Sequence, residues 1–265
     1  MKAYSLRAWL LLLLPLCAAF TCSDHREPQP LRYRLKTVKY SVGPPPNYTP
    51  QTFTLTYDSN GRIASYDYGS NATNWTVGYD NQNRVASIFF LDRGQNGNYF
   101  NAYTYNQQSQ LTQVTRTRYP GRSTEPITPR LQSTYDLNYA STSATVPSKL
   151  ITTYLDPNSS LEQIYTFSGG NAIQVGDKTY TYDNTPNPYK GLFGLNLYFS
   201  LDQGFGLPVP ISPFRPSQRF TDLGVKVYNQ NNITTDATLT YNSDGLVTKI
   251  DYNDGASEEF TYEAY

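Results

Sequence analysis

Apolar and polar residues alternate with a period of two over much of this chain. In residues 53–57, Phe53, Leu55 and Tyr57 fall on one side and Thr54 and Thr56 on the other. That is the pattern of a pleated strand with one buried face. Asp58-Ser59-Asn60-Gly61 follows. Asp and Asn side chains bond to nearby backbone and Gly accepts a positive φ, so the chain is expected to reverse there. A second alternating run opens at Ile63 and continues to Tyr68. The stretch predicts strand, turn, strand.

The unit recurs. Residues 53–65 read FTLTYDSNGRIAS, 75–87 read WTVGYDNQNRVAS, 103–114 read YTYNQQSQLTQV and 239–250 read LTYNSDGLVTKI. Weaker relatives start at Tyr135, Phe167 and Tyr182, and the early copies are spaced by 22 and then 26 residues. Similarity at such a period marks a repeated supersecondary unit. The repeat-turn residues are Tyr57, Asp58, Gly61, Arg62, Tyr79, Asp80, Arg84, Tyr241 and Gly245. Each Arg is expected to pair with the Asp of its own turn. Many-stranded sheets twist and curl, so the predicted fold is all-β: an antiparallel meander of hairpins forming a curved or rolled, barrel-like sheet over residues 31–265.

Tyr57, Asp58, Gly61, Arg62 and Ile63, and more loosely Tyr79, Asp80, Arg84 and Val85, resemble the YD repeat of the RHS and teneurin class. The third and last copies lack the Arg. In that class long arrays coil into a hollow shell. The units here are too few to enclose a cargo, so the resemblance implies the hairpin architecture without the encapsulating role. The plan as a whole is also similar to short YD-like lipoproteins of Gram-negative bacteria, a resemblance that implies secretion and a lipid anchor and no activity.

Residues 186–216 break the rhythm, with six prolines and four glycines among many apolar side chains. Proline is excluded from central strands, so the segment is expected to be a non-strand insert with at most one short helix, over 195–203. Either it fills the concave side of the sheet or it forms a lid or docking surface.

The N-terminus reads as an address. Lys2 and Arg7 precede a short apolar run that ends near Cys17, the form of a secretory signal and well short of the roughly 20 residues of a spanning helix. Residues 1–21 are expected to be removed. Cys22, after Ala18-Ala19-Phe20-Thr21, resembles the lipid-modified cysteine of bacterial lipoproteins, although Thr21 and Phe20 depart from the usual small residues. Residues 22–30 then form the lipidated cysteine and a polar stem, and the chain is expected at the outer membrane.

Composition removes several chemistries. Without Lys2 and Arg7 the chain holds 19 basic and 21 acidic residues, net −2, which leaves no electrostatic footprint for nucleic acid. Its single His is His25, in the stem, and its two cysteines are Cys17 and Cys22. Beyond residue 25 there is no imidazole for a Ser-His-Asp triad and no Cys-His pair, nor the usual zinc ligands. No cofactor and no metal are expected. The loop at 251–259, DYNDGASEE, fails the calcium-loop spacing and reads as a turn. The final strand, SEEFTYEAY, has no clean lipid-facing side, so a membrane-embedded barrel is not expected.

The leading functional expectation is a non-enzymatic lipoprotein that binds or scaffolds at the cell envelope, its partners the membrane and a glycan or an envelope protein. The 25 tyrosines suit cross-strand packing and also a carbohydrate-binding surface. Candidates for a ligand or partner surface are Trp75, Tyr189, Phe193, Tyr198, Phe199 and Phe214, with Trp75 equivalent to the core position of Phe53. A third reading is a glycan-cleaving enzyme with two carboxylates, for which Asp67, Asp92, Glu162 and Asp202 are the first suspects.

Overall fold

The computed structural model describes residues 32–41, 50–68, 73–92, 98–119, 130–155, 158–192, 228–253 and 255–265. Among them are seventeen strands and no helix: β1 (Tyr33–Ser41), β2 (Gln51–Tyr57), β3 (Ile63–Tyr68), β4 (Thr73–Tyr79), β5 (Val85–Asp92), β6 (Asn98–Tyr105), β7 (Leu111–Tyr119), β8 (Arg130–Asn138), β9 (Lys149–Leu155), β10 (Asn158–Ser168), β11 (Asn171–Val175), β12 (Lys178–Thr179), β13 (Tyr182–Pro186), β14 (Asn231–Ile233), β15 (Ala237–Tyr241), β16 (Val247–Tyr252) and β17 (Ser257–Ala264). The anticipated leader and stem, including Cys22, and the segment 193–227 lie outside the described residues.

Fifteen strands form one sheet. β1 to β12 lie side by side in chain order, and β17, β16 and β15 continue the sheet on the other side of β1. The sheet is an antiparallel meander and is not closed into a barrel. By contact the chain divides into a large unit, Leu35–Glu263, and a small one, Met1–Arg34 with Ala264–Tyr265. In the small unit, the Tyr265 N–H donates to the Arg32 carbonyl at 3.0 Å and the Arg34 guanidinium lies 5.1 Å from the Tyr265 ring centroid. In the large unit, the first and last strands are joined by cross-strand side chains. The Thr37 and Thr261 hydroxyls lie 2.6 Å apart, Lys39 meets Glu259 at 3.1 Å and Lys36 meets Glu263 at 2.6 Å.

The alternation of the sequence becomes an inner and an outer face. Phe53, Leu55, Trp75, Val77, Ile88 and Phe90 are buried, while Thr54, Thr56 and Thr76 between them are exposed. Cross-strand register puts Tyr66 opposite Trp75, Trp75 opposite Phe90 and Phe90 opposite Tyr99. Their rings stack in one row, with centroids 4.9, 4.9 and 5.8 Å apart. Such contacts add to the area buried by each ring.

Curvature comes from a repeated defect. The register shifts once beside each of four corners, between Thr56 and Tyr57, Gly78 and Tyr79, Thr104 and Tyr105, and Thr240 and Tyr241. Ala64, Ala86, Thr112 and Thr248 are the residues left over. A bulge bends its strand and sharpens the local twist, so a bulge carried in every copy bends the sheet at regular intervals.

A two-stranded ribbon, β13 with β14, bonds to both ends of the sheet. Toward β11, the Ala172 N–H donates to Asn229 Oδ1 at 2.8 Å, the Gln230 N–H donates to the Gly170 carbonyl at 3.0 Å, and Asn171 and Asn231 exchange two bonds of 2.9 Å. Toward β15 and β17, the Tyr241 hydroxyl donates to Asp183 at 2.7 Å and the Tyr189 hydroxyl to Glu258 at 2.8 Å. Amide side chains stand in here for the backbone partners of a continued ladder. Two of the weaker repeat relatives are thereby corrected. Tyr135 and Asp136 lie mid-strand in β8, opposite Val114 and Gln113, and Tyr182-Asp183 belongs to the ribbon and is no hairpin corner. The third, after Phe167, is a hairpin turning at Gly169 and Gly170, both at positive φ.

Asn229→Ala is expected to lower stability by about 1–3 kcal/mol, because it strands the fully buried Ala172 N–H. Urea unfolding measures it, and hydrogen exchange should quicken first in β11 and the ribbon. A change under about 0.3 kcal/mol would mean that the ribbon does not hold that edge.

Candidate functional site

The repeat corner is built around one side-chain oxygen. Asp58 Oδ1 accepts the Asn60 and Arg62 N–H groups, each at 2.9 Å. The Gly61 N–H returns to the Asp58 carbonyl at 2.9 Å, and the Asp58 N–H donates to the Arg62 carbonyl at 2.8 Å. Asp80 does the same with Gln82 and Arg84, Asn106 with Gln108 and Gln110, and Asn242 with Asp244 and Leu246. The fourth residue of each corner is left-handed: Gly61 at φ 76°, Asn83 at 63°, Ser109 at 61° and Gly245 at 75°. Gly and Asn accept this conformation readily. Ser109 does so inside the same set of bonds.

Neighbouring corners are locked together. Arg62 is tied to its own Asp58 at 2.6 Å, donates to Asn83 Oδ1 of the next corner at 2.7 Å and stacks 4.1 Å over the Tyr79 ring. Arg84 repeats the plan with Asp80 at 2.7 Å, Ser109 at 3.2 Å and Tyr105 at 4.4 Å. Where the third copy lacks Arg, the Gln110 amide donates to the carbonyls of Ser141, Thr142 and Ala144. The tyrosines add a second link. The Tyr79 hydroxyl donates to the Ile63 carbonyl at 2.8 Å, Tyr105 to Val85 at 2.8 Å, Tyr139 to Leu111 at 3.1 Å, Tyr262 to Val247 at 2.7 Å and Tyr57 to Leu35. Each phenol thus grips the strand that begins after the preceding corner, or in the first case β1.

These contacts set the electrostatics. The Arg62 side chain, with its backbone N–H, holds the Asp58 carboxyl below the usual carboxylate range. Partial burial pushes Asp80 upward, but its bonds from Arg84 and Gln82 outweigh this and leave it lowered. Burial raises Tyr79 and Tyr139 and pushes Tyr105 up to about 12. Near neutral pH these phenols are protonated donors.

The corner row forms one wall of a cavity of about 940 Å³. Tyr57, Tyr79, Tyr105, Tyr139 and Tyr228 line it, together with Ile63, Val77, Val85, Leu111 and Leu192. Among the described residues, its charged lining side chains are Arg62 and Arg84. Of its polar lining residues, Gln82, Asn83, Gln108, Ser109, Thr142 and Ser143 are exposed, and they form the rim.

The residues singled out from sequence fall in different places. Tyr57, Gly61, Arg62, Tyr79 and Arg84 meet at the cavity wall, and Asp58 and Asp80 stand behind it through their Arg partners. Tyr241 and Gly245 belong to the fourth corner. Trp75 is enclosed between Tyr66 and Phe90, and Tyr189 lies in the core edge-on to Phe260, 5.6 Å away. Phe193, Tyr198, Phe199 and Phe214 lie outside the described residues. Among the suspected carboxylates, Asp67 accepts from Asn74 at 2.5 Å and Glu162 meets Lys149 at 3.4 Å on the exposed surface. The side chain of Asp92 and all of Asp202 lie outside the described residues. The turn at 252–256 closes with the Gly255 N–H on the Tyr252 carbonyl at 2.9 Å. Sequence reasoning missed Tyr139 and Gln110, since neither carries the Tyr-Asx signature. Tyr105 was legible as the aromatic before Asn106.

No family model matches the chain, and no curated protein matches it in sequence. Among solved structures it is similar to a porin-like protein from Bacteroides uniformis, at TM-score 0.38 and 13% identity over 86% of this chain and 98% of that one. It is also similar to a porin-like protein from Bacteroides vulgatus, at TM-score 0.39 and 12% identity over 88% and 99%. Likenesses of this size establish neither a common activity nor a common site.

Asp58→Asn is expected to lie close to wild type in Tm, because Asn106 and Asn242 hold their corners with an amide oxygen. Asp58→Ala, which removes the acceptor, should fall well below both. Equal losses would show that the ion pair, and not the acceptor, holds the corner. A second expectation concerns alkali. The raised phenols favour the folded state fully below the ordinary tyrosine value of 10, and this contribution is lost as pH rises through about 12. Tyrosinate absorbance and circular dichroism should therefore change together between pH 10 and 12. Stepwise ionisation of the phenols with the fold intact would contradict it.

Proposed function

We propose that the chain is a non-enzymatic, lipid-anchored protein of the bacterial envelope, built from YD-type repeats, with its binding site in the corner-end cavity. The observation that carries this reading is where the reactive side chains are engaged. Asp58 and Asp80 hold backbone N–H groups and arginines, Asp183 holds the ribbon, and Glu258 takes the hydroxyls of Tyr189 and Tyr252 at 2.8 and 3.0 Å. Tyr57, Tyr79, Tyr105 and Tyr139 along the cavity donate to main-chain carbonyls. Such groups are committed to structure, and the cavity they build offers shape and surface. The leader, the cysteine at position 22 and the polar stem support the anchor and an outer-membrane address. A glycan platform is the weaker reading, because the main ring stack is enclosed within the sheet.

In a Gram-negative host, the wild-type chain is expected to incorporate a palmitate label and sediment with outer membranes. Cys22→Ala should lose the label and appear in the soluble fraction. An unlabelled wild-type chain would overturn the anchor.

A further inference from the structure

Among its described lining residues, the interior of the cavity beside the corners is faced mainly with carbon, although tyrosines line it. Tyr57, Tyr79, Tyr105 and Tyr139 each donate the phenol to a backbone carbonyl, of Leu35, Ile63, Val85 and Leu111 respectively. Their hydroxyls are turned to the main chain, and what they add to the wall is ring. Ile63, Val77 and Leu111 are buried behind them. The two guanidinium groups in the lining are held by Asp58 and Asp80 and lie over the rings of Tyr79 and Tyr105. They therefore offer no unpaired charge to a phosphate or carboxylate. Gln82, Asn83, Gln108, Ser109, Thr142 and Ser143 sit at the exposed rim, while the buried Gln110 amide is spent on the carbonyls of Ser141, Thr142 and Ala144 and the buried Tyr228 hydroxyl lies against Tyr139. A carbon-lined interior with an uncharged polar mouth is the reverse of a sugar cleft, whose hydroxyl ligand needs donors and acceptors inside.

Position along the chain points to the same chemistry. Tyr57, in the cavity wall, bonds to Leu35, the first residue of the large unit. Between Cys22 and Leu35 the chain reaches at most about 45 Å when extended. A lipid at Cys22, as proposed above, would hold the corner end within that reach of the bilayer. We infer that the corner-end cavity takes a single acyl chain, with an uncharged or outward-facing head group at the rim. The inference rests on the cavity being the binding site, and it does not require the anchor to be attached. The volume of about 940 Å³ is within the roughly 300–1,000 Å³ of ligand-sized pockets.

The test uses the full chain carrying Cys22→Ala, purified in soluble form and titrated with a fluorescent polyene C18 fatty acid below its aggregation limit. Saturable one-site binding in the micromolar range is expected. Palmitate should displace the probe, whereas hexanoate and a neutral oligosaccharide should not. A C16 lysophospholipid that also displaces it marks a membrane lipid as the source, and displacement by palmitate alone marks a free fatty acid; both support an acyl-chain site. Ala144→Trp, which places an indole in the cavity lining, should weaken binding at least tenfold at unchanged circular dichroism. Ser143→Trp at the rim replaces it should that variant not fold. Ile164→Trp, on an exposed position of β10, should bind like the parent. Absence of saturable binding, unchanged binding in the filled variants, or displacement by the oligosaccharide overturns the inference. Failure of palmitate labelling at Cys22 leaves this result intact, so the anchor and the ligand are judged separately.

Discussion

One side-chain oxygen per corner sets the structure. A strand pair that reverses in four or five residues leaves backbone N–H groups with no ladder partner, and unpaired buried donors are costly. In this chain the Oδ1 of Asp58, Asp80, Asn106 or Asn242 accepts two of them at once. Once that oxygen fixes the turn, the residue three positions later must be left-handed. The adjoining strand takes a bulge, and the preceding tyrosine is aimed back across the sheet. Register, curvature and inter-copy contacts all descend from this small set of bonds.

The corners also explain how a domain whose described body holds no cysteine keeps a large antiparallel sheet together. Each Arg or Gln in the row bonds to its own corner and to the next. The hydroxyls of Tyr79, Tyr105, Tyr139 and Tyr262 each reach the strand that opens beyond a preceding corner. An exposed ion pair by itself contributes little. Here the same guanidinium also covers an aromatic ring and a neighbouring amide or hydroxyl, so removing it disturbs two copies. The asparagine-rich ribbon extends the logic to the ends of the sheet, where side-chain amides satisfy backbone groups that an open edge would leave bare.

This economy of polar groups shapes the cavity. A wall made from tyrosines would ordinarily read as a hydrogen-bonding surface. With the hydroxyls of Tyr57, Tyr79, Tyr105 and Tyr139 drawn into the main chain and the guanidiniums paired, those residues present ring faces and stems. The two aspartates of the corners are engaged by their own turns and arginines, as the spacing in the sequence led one to expect.

Local physics was legible in the amino-acid order. Alternation at period two, Asx-x-x-Gly corners and an Arg four residues after each Asp determined an all-β meander and placed its clearest hairpins. The same reading erred at Tyr135-Asp136, where the dipeptide sits inside a strand, because a two-residue signature cannot tell a corner from a strand middle. It was silent on the placement of β17 beside β1, on the ribbon that bonds to both ends, and on which carbonyl each phenol would find. These depend on contacts between residues tens to hundreds of positions apart, which periodicity does not encode. The repeat itself was therefore written in the sequence, whereas the cavity and the chemistry of its lining arose only when distant corners were stacked into one row.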